Sequence, residues 1–111
     1  VAKMARMNLA FESRSLREVC ENELGAEREL GIRIAQQLRR RLDDLLSAAN
    51  VSEVVAGDPR EVDGAAFQHY SFELAPGRRL IVAANHNKIP ALVDGGIDWS
   101  RVTRVKIIRI D

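Results

Sequence analysis

One cysteine stands in 111 residues. A lone thiol excludes an internal disulfide and a cysteine-based zinc cage. Cys20 lies beside Leu16, Val19 and Leu24 at helical spacing, with no histidine near it in sequence. It therefore reads as a buried thiol and not as a nucleophile. Histidine is scarce too. His69 and His86, with Asp94 and Asp98, show neither the helix spacing nor the tight cluster of a metal site. No metal and no cofactor is expected. The glycines form no phosphate loop, since Gly95-Gly96 reads as a turn, and no nucleophile elbow is present. No stretch approaches the roughly 20 apolar residues of a membrane span. No N-terminal run has the build of a signal peptide. The expected compartment is the cytoplasm, with no membrane partner. An excess of one charge is also missing: 17 basic side chains oppose 16 acidic ones, a net +1. Residues 12–56 carry nine acids and seven bases; residues 57–111 carry seven acids and eight bases. Phosphate binders usually carry a clear basic excess, so any basic site here must be a local cluster.

What is present is the patterning of one small globular domain over residues 1–111. Hydrophobic residues make up 46% and charged residues 30%, ordinary values for such a domain. Residues 1–6 read as a frayed lead, and Met7 to Phe11 as a short strand. Ser15-Leu16-Arg17-Glu18 fits a capping box, and the apolar spacing that follows predicts a helix over 13–24 with Gly25 as its stop. A longer helix is predicted over 26–48, with the stripe Leu30, Ile34, Ala35, Leu38, Leu42, Leu45 and Leu46. Two helices joined by a glycine turn imply a helical hairpin whose stripe must be covered. Strands supply the cover. Phe67 to Leu74 alternates, with Tyr70, Phe72 and Leu74 on one side and His69, Ser71 and Glu73 on the other. Ala75-Pro76-Gly77 is a turn, Arg79 to Asn85 a central strand and Val102 to Ile110 a last one. A short piece at Arg60 to Asp63 adds a further strand. Residues 86–100 form a loop in which Asp98 caps a brief turn carrying Trp99, placed as a lid on the sheet.

Two basic groups stand out. Arg39-Arg40-Arg41 lies on the long helix and reads as a solvated face with pairs such as Arg40 and Asp44. The sheet carries Arg60, Arg78, Arg79, Lys88, Arg104, Lys106 and Arg109, which strand pairing could gather into an electropositive patch despite the neutral total. Strict alternation along the last strand puts Arg104 and Lys106 on one face with Val102, Ile108 and Ile110.

The order strand, helices, then a strand-rich remainder resembles the RelE/ParE superfamily of toxins, and within it the HigB-like branch of plasmid maintenance killer and killer suppression proteins. The specific residues are Asp94-Gly95-Gly96-Ile97-Asp98-Trp99-Ser100-Arg101-Val102-Thr103. A looser pattern is met by Arg60-Glu61-Val62-Asp63-Gly64, Tyr70-Ser71 and Arg79-Leu80-Ile81. The resemblance implies an α+β, two-layer fold, with the N-terminal strand and helical hairpin on one face of a mainly antiparallel sheet. It implies the toxin of a type II toxin–antitoxin module, a ribosome-dependent mRNA endonuclease held by a cognate antitoxin of helix-turn-helix type. The alternative is a non-catalytic binding protein of the same fold, either a decayed toxin or an inhibitor of a protein target. On the first reading Arg79, Arg60, Lys88 and His86 form the catalytic set, and Arg78, Arg104 and Lys106 bind RNA. Such cleavage must activate a 2′-hydroxyl, protonate a leaving oxygen and hold a charged phosphate. The sequence departs from the family pattern at Arg60, where a His is common, at Asp63, where a base is usual, and at Asp111, where many relatives continue to a terminal His.

Overall fold

The computed structural model describes residues 7–63 and 68–111. The expected lead at residues 1–6, Gly64 and the expected strand start at Phe67 lie outside the described residues. Strand β1 spans Asn8–Phe11. Helices α1 (Arg14–Glu21), α2 (Glu23–Leu30) and α3 (Ile32–Ser47) follow. Strands β2 (Arg60–Asp63), β3 (Gln68–Ala75), β4 (Arg78–Ala84) and β5 (Arg104–Ile110) complete the chain. The strands form one five-stranded sheet in the order β1-β5-β4-β3-β2. β1 pairs with β5 in parallel and the other three pairings are antiparallel, so the sheet is mixed and open at both edges. The chain is an α+β protein.

The helical part departs from the expected hairpin: three helices stand where two were predicted. Gly25 does not stop a helix; it lies inside α2. The break falls three residues earlier, at Asn22, which adopts extended backbone (φ −114°, ψ 109°). Asn22 serves both neighbours. Its N–H donates to the Glu18 carbonyl and closes α1, while its Oδ1 accepts the Gly25 N–H at 3.1 Å and opens α2. A short polar side chain that bonds the backbone directly can end one helix and start the next. The second break is Gly31, at φ +85° and ψ 160°, backbone that side chains with a Cβ rarely enter. At the N-terminus of α1 the cap is Ser13, whose Oγ accepts the Leu16 N–H at 3.1 Å.

The helices cover one face of the sheet. Leu38, Leu42 and Leu45 of α3 join Phe72 and Leu74 of β3, Leu80 and Val82 of β4, and Val105 and Ile107 of β5 in a single buried core. Two short turns close its end: the Val51 N–H donates to the Val102 carbonyl at 3.1 Å, and both residues are fully buried.

The last strand is not regular. Val82 faces Ile107 and Ile81 faces Arg109, which leaves Ile108 as an extra residue. This bulge reverses the alternation beyond it. The shared face expected for Arg104, Lys106, Val102, Ile108 and Ile110 is therefore not found. Ile110 comes opposite Leu80 and packs against the core with Val102. Arg109 comes opposite Ile81, on the side of Arg104 and Lys106.

Candidate functional site

The second face of the sheet carries none of the three helices. Register places Arg60, His69, Ser71, Glu73, Arg79, Ile81, Ala83, Lys106 and Arg109 on it. β1 adds Asn8 beside Arg104 and Ala10 beside Lys106. The middle of this face holds the buried Ile81 with the small side chains Ala83, Ser71 and Ala10, and five cations stand around them. That makes a shallow floor with long basic groups around it. Strand pairing thus sets Arg60, Arg79, Arg104 and Lys106 on one face, with Arg79 and Arg104 at its opposite ends, and adds Arg109. It leaves Arg78 apart. By alternation Arg78 falls on the side of Leu80, and its Nε donates to the Asp111 carbonyl at 2.8 Å.

Arg79, the second residue of β4, stands opposite Glu73 and lays its guanidinium across β3. Nε donates to Ser71 Oγ at 2.9 Å. One terminal nitrogen donates to the carbonyls of Asp58, at 2.5 Å, and Ser71, at 3.2 Å. The other lies 3.6 Å from the Asp58 carboxylate and 4.0 Å from that of Glu73. The side chain is only 23% exposed, and Ser71 beneath it is buried. Asp58 reaches this position through a left-handed backbone (φ 46°) after Gly57 (φ 82°). Its carboxylate also holds Arg60 at 2.7 Å. Arg79, Arg60, Asp58, Glu73 and Asp111 line a shallow hollow of about 410 Å³.

Carboxylates attend the other cations as well. Lys106 Nζ lies 3.7 Å from Glu12, and Arg109 Nε lies 2.7 Å from Asp111. Arg104 is exposed and, among the described residues, makes no ion pair. Lys88 is likewise exposed, in the loop after β4 and away from the sheet.

His86 stands at the foot of that loop. Its Nε2 accepts the backbone N–H of Thr103 at 3.0 Å and of Arg104 at 3.2 Å. The ring therefore ties the loop to the start of β5, and the nitrogen left for proton exchange is Nδ1. Asp98 organises the other side of the loop. It accepts from the Ser100 hydroxyl and backbone N–H and from Arg101 Nε at 2.9 Å. The Ser100 hydroxyl, then Arg101, hold its carboxyl below the ordinary range. Trp99 is buried against Tyr70, ring centroids 4.9 Å apart, and its Nε1 donates to Glu61 at 2.7 Å. It lies on the core side of the sheet, so it takes no part in the open face.

Sequence reasoning did not find Asp58 and Glu12, two of the four acids that face the cations of this face. Asp58 follows a glycine in a stretch without periodicity, and Glu12 lies just past a strand end. Neither carries a local signal for what it meets. Among the described residues no group of three His, Cys, Asp or Glu side chains is placed to hold a metal ion. No helix among them is long and apolar enough to cross a membrane. Comparison with protein-family models, curated proteins and solved structures finds no match to this chain.

Proposed function

We propose that this protein is the toxin of a type II toxin–antitoxin module and cleaves mRNA at the ribosome, with RNA lying on the helix-free face of the sheet. The observation that carries the reading is the company of Arg60, Arg79, Arg104, Lys106 and Arg109 on one face of a chain whose net charge is only +1. Guanidinium and ammonium groups around the floor of this face can exchange exposed carboxylate partners for phosphate, and Arg104 has no carboxylate partner among the described residues. The resemblance over Asp94 to Thr103 supplies the reaction class. In this reading Arg104 and Lys106 contact the RNA backbone. Arg60 and Arg79 hold phosphate at one end of the face. His86 and Lys88 stand past the other end of β4, where Arg104 starts β5, so proton transfer by Nδ1 of His86 or by Lys88 falls beside Arg104.

A second reading draws on a specific observation. Four of the five cations already have carboxylate partners, from Asp58, Glu73, Glu12 and Asp111. A face neutralised in this way suits a non-catalytic module that binds a protein target. Induction of the gene alone, and then with its neighbour, separates the module from any other role. A toxin arrests growth, a cognate antitoxin of helix-turn-helix type relieves the arrest, and the two products copurify. Normal growth under strong induction of a folded chain would contradict the toxin reading and leave the non-catalytic one.

A further inference from the structure

Asp58 is a carboxylate that the fold sets between two arginines of the open face. Its Oδ2 lies 2.7 Å from Arg60 and 3.6 Å from Nη1 of Arg79, so one oxygen faces both guanidinium groups. The turn that carries it is anchored on two sides. The Gly57 carbonyl accepts the Glu73 N–H of β3 at 2.6 Å, and the Asp58 carbonyl accepts Nη2 of Arg79 at 2.5 Å. A Cβ added at Gly57 would lie 2.8 Å from Arg41 Nε and 3.3 Å from the Glu73 carbonyl oxygen, so the turn runs close against α3 and β3. Asp58 itself takes left-handed backbone at φ 46°, which Asp and Asn enter more readily than most residues with a side chain.

Arg79 is fixed on one side of its fork and open on the other. Nε and Nη2 are occupied by Ser71 and by the Asp58 carbonyl. Nη1 meets only the carboxylates of Asp58 and Glu73, at 3.6 and 4.0 Å, beyond the length of a hydrogen bond. Its donors are left for an oxyanion that comes closer. Charge around the hollow balances only while Asp58 is in place. Arg60 and Arg79 stand against Asp58 and Glu73, while Asp111 is paired with Arg109 at 2.7 Å. With the Asp58 carboxylate gone, two positive charges face one negative charge. Carboxylate and phosphate are gripped by the same guanidinium donors. The Asp58 side chain is half-exposed, so it can swing into water when another anion takes its place.

We propose that Asp58 is an internal stand-in for phosphate. Its carboxylate fills the position between Arg60 and Arg79 that an RNA phosphate takes on binding, and the RNA must displace it. This rests on the reading of the open face as the RNA surface, and it makes Asp58 a restraint on binding. The test is the affinity of the purified full chain for a labelled oligoribonucleotide, read by fluorescence anisotropy. The probe is 2′-O-methylated throughout, so that no 2′-hydroxyl is left to attack. Asp58→Asn keeps the left-handed backbone and the main-chain carbonyl but carries no charge. It should bind roughly tenfold more tightly than wild type, since a charge-assisted hydrogen bond no longer has to be broken. Asp58→Gly, with no side chain at all, should do the same, and circular dichroism verifies the fold of each. Adding Arg60→Gln to Asp58→Asn should abolish the gain. Glu12→Gln removes the same charge beside the same face and should gain about twofold at most, as befits an exposed and loosely paired acid.

Equal gains at Asp58 and Glu12 would overturn the proposal. Unchanged or weaker binding by both Asp58 variants would also overturn it, and absence of binding by every form would overturn it together with the RNA reading. The double variant Arg104→Ala, Lys106→Ala tells the two failures apart. If it binds less than wild type while Asp58→Asn gains nothing, RNA lies on the face and only the role of Asp58 falls. If it binds as wild type does while Asp58→Asn still gains, the role of Asp58 stands and RNA does not cross the far end of the face.

Discussion

At Arg79 a single guanidinium joins three stretches of chain. It rests on the Ser71 hydroxyl and carbonyl, takes the Asp58 carbonyl and faces two carboxylates. Lysine has a point charge and no planar fork, and cannot meet these acceptors together. Arg79→Lys and Arg79→Ala should each lower stability by about 1–3 kcal/mol, because Ser71 is left buried with its acceptor unmet. Urea denaturation measures this, and a variant within error of wild type would show that the clamp holds nothing. Loss of toxicity in Arg79→Ala alone therefore mixes a lost phosphate contact with a loosened sheet. Cys20 makes a second case at this scale. Half-buried burial, then the adjacent Glu21, raise its thiol to about 11. The thiolate is the reactive form, so alkylation should be slow at neutral pH and quicken steadily as pH rises towards that value. The folded thiol holds its proton longer than the unfolded one. Stability linked to it is thus whole below the ordinary thiol range, near 8.5, and declines above it. Rapid alkylation of the native protein at pH 7 would contradict the burial of this side chain.

Among the elements, the long amphipathic helix and the antiparallel strands were legible because their apolar residues recur with the period of the structure. Leu38, Leu42 and Leu45 announced the buried face of α3, and Phe72 and Leu74 that of β3. The failures fall where one residue's bonding overrides a propensity. Gly25 reads as a helix stop, yet Asn22 caps both α1 and α2 and moves the break. The bulge at Ile108 depends on how β5 meets β4, and alternation along one strand cannot register it. The candidate site was legible in part for the same reason. Arg60, Arg79, Arg104 and Lys106 follow from alternation, Arg109 required the bulge, and the partners Asp58 and Glu12 required tertiary structure. The two glycines give opposed expectations. Gly31 has open space where a Cβ would go but holds a backbone that only glycine enters readily. Gly31→Ala should cost of order 1–3 kcal/mol from conformation alone. Gly25 lies inside α2, and an added Cβ meets Asn22 at an ordinary 3.5 Å. Gly25→Ala should stabilise by about 1 kcal/mol through helix propensity. Thermal unfolding of the pair checks both signs; equal effects would place the helix break elsewhere.

The whole molecule is a two-sided sheet. One face is closed by three helices over a single core, and the other carries no helix among the described residues, with Ile81 and small residues in the middle and cations around them. Arg104 and Lys106 are the residues by which to test this face, because neither takes part in the core. Arg104 has no carboxylate partner among the described residues, and Lys106 has only the partly exposed Glu12 at 3.7 Å. Their replacement removes charge with little effect on the fold. The deciding measurement is the mapping of mRNA 5′ ends in cells after brief induction of the full chain, wild type beside the folded double variant Arg104→Ala, Lys106→Ala. Wild type should give new ends within translated regions, lost when translation is blocked and strongly reduced in the double variant. Growth arrest with intact mRNA would contradict the endonuclease and leave the protein-binding reading.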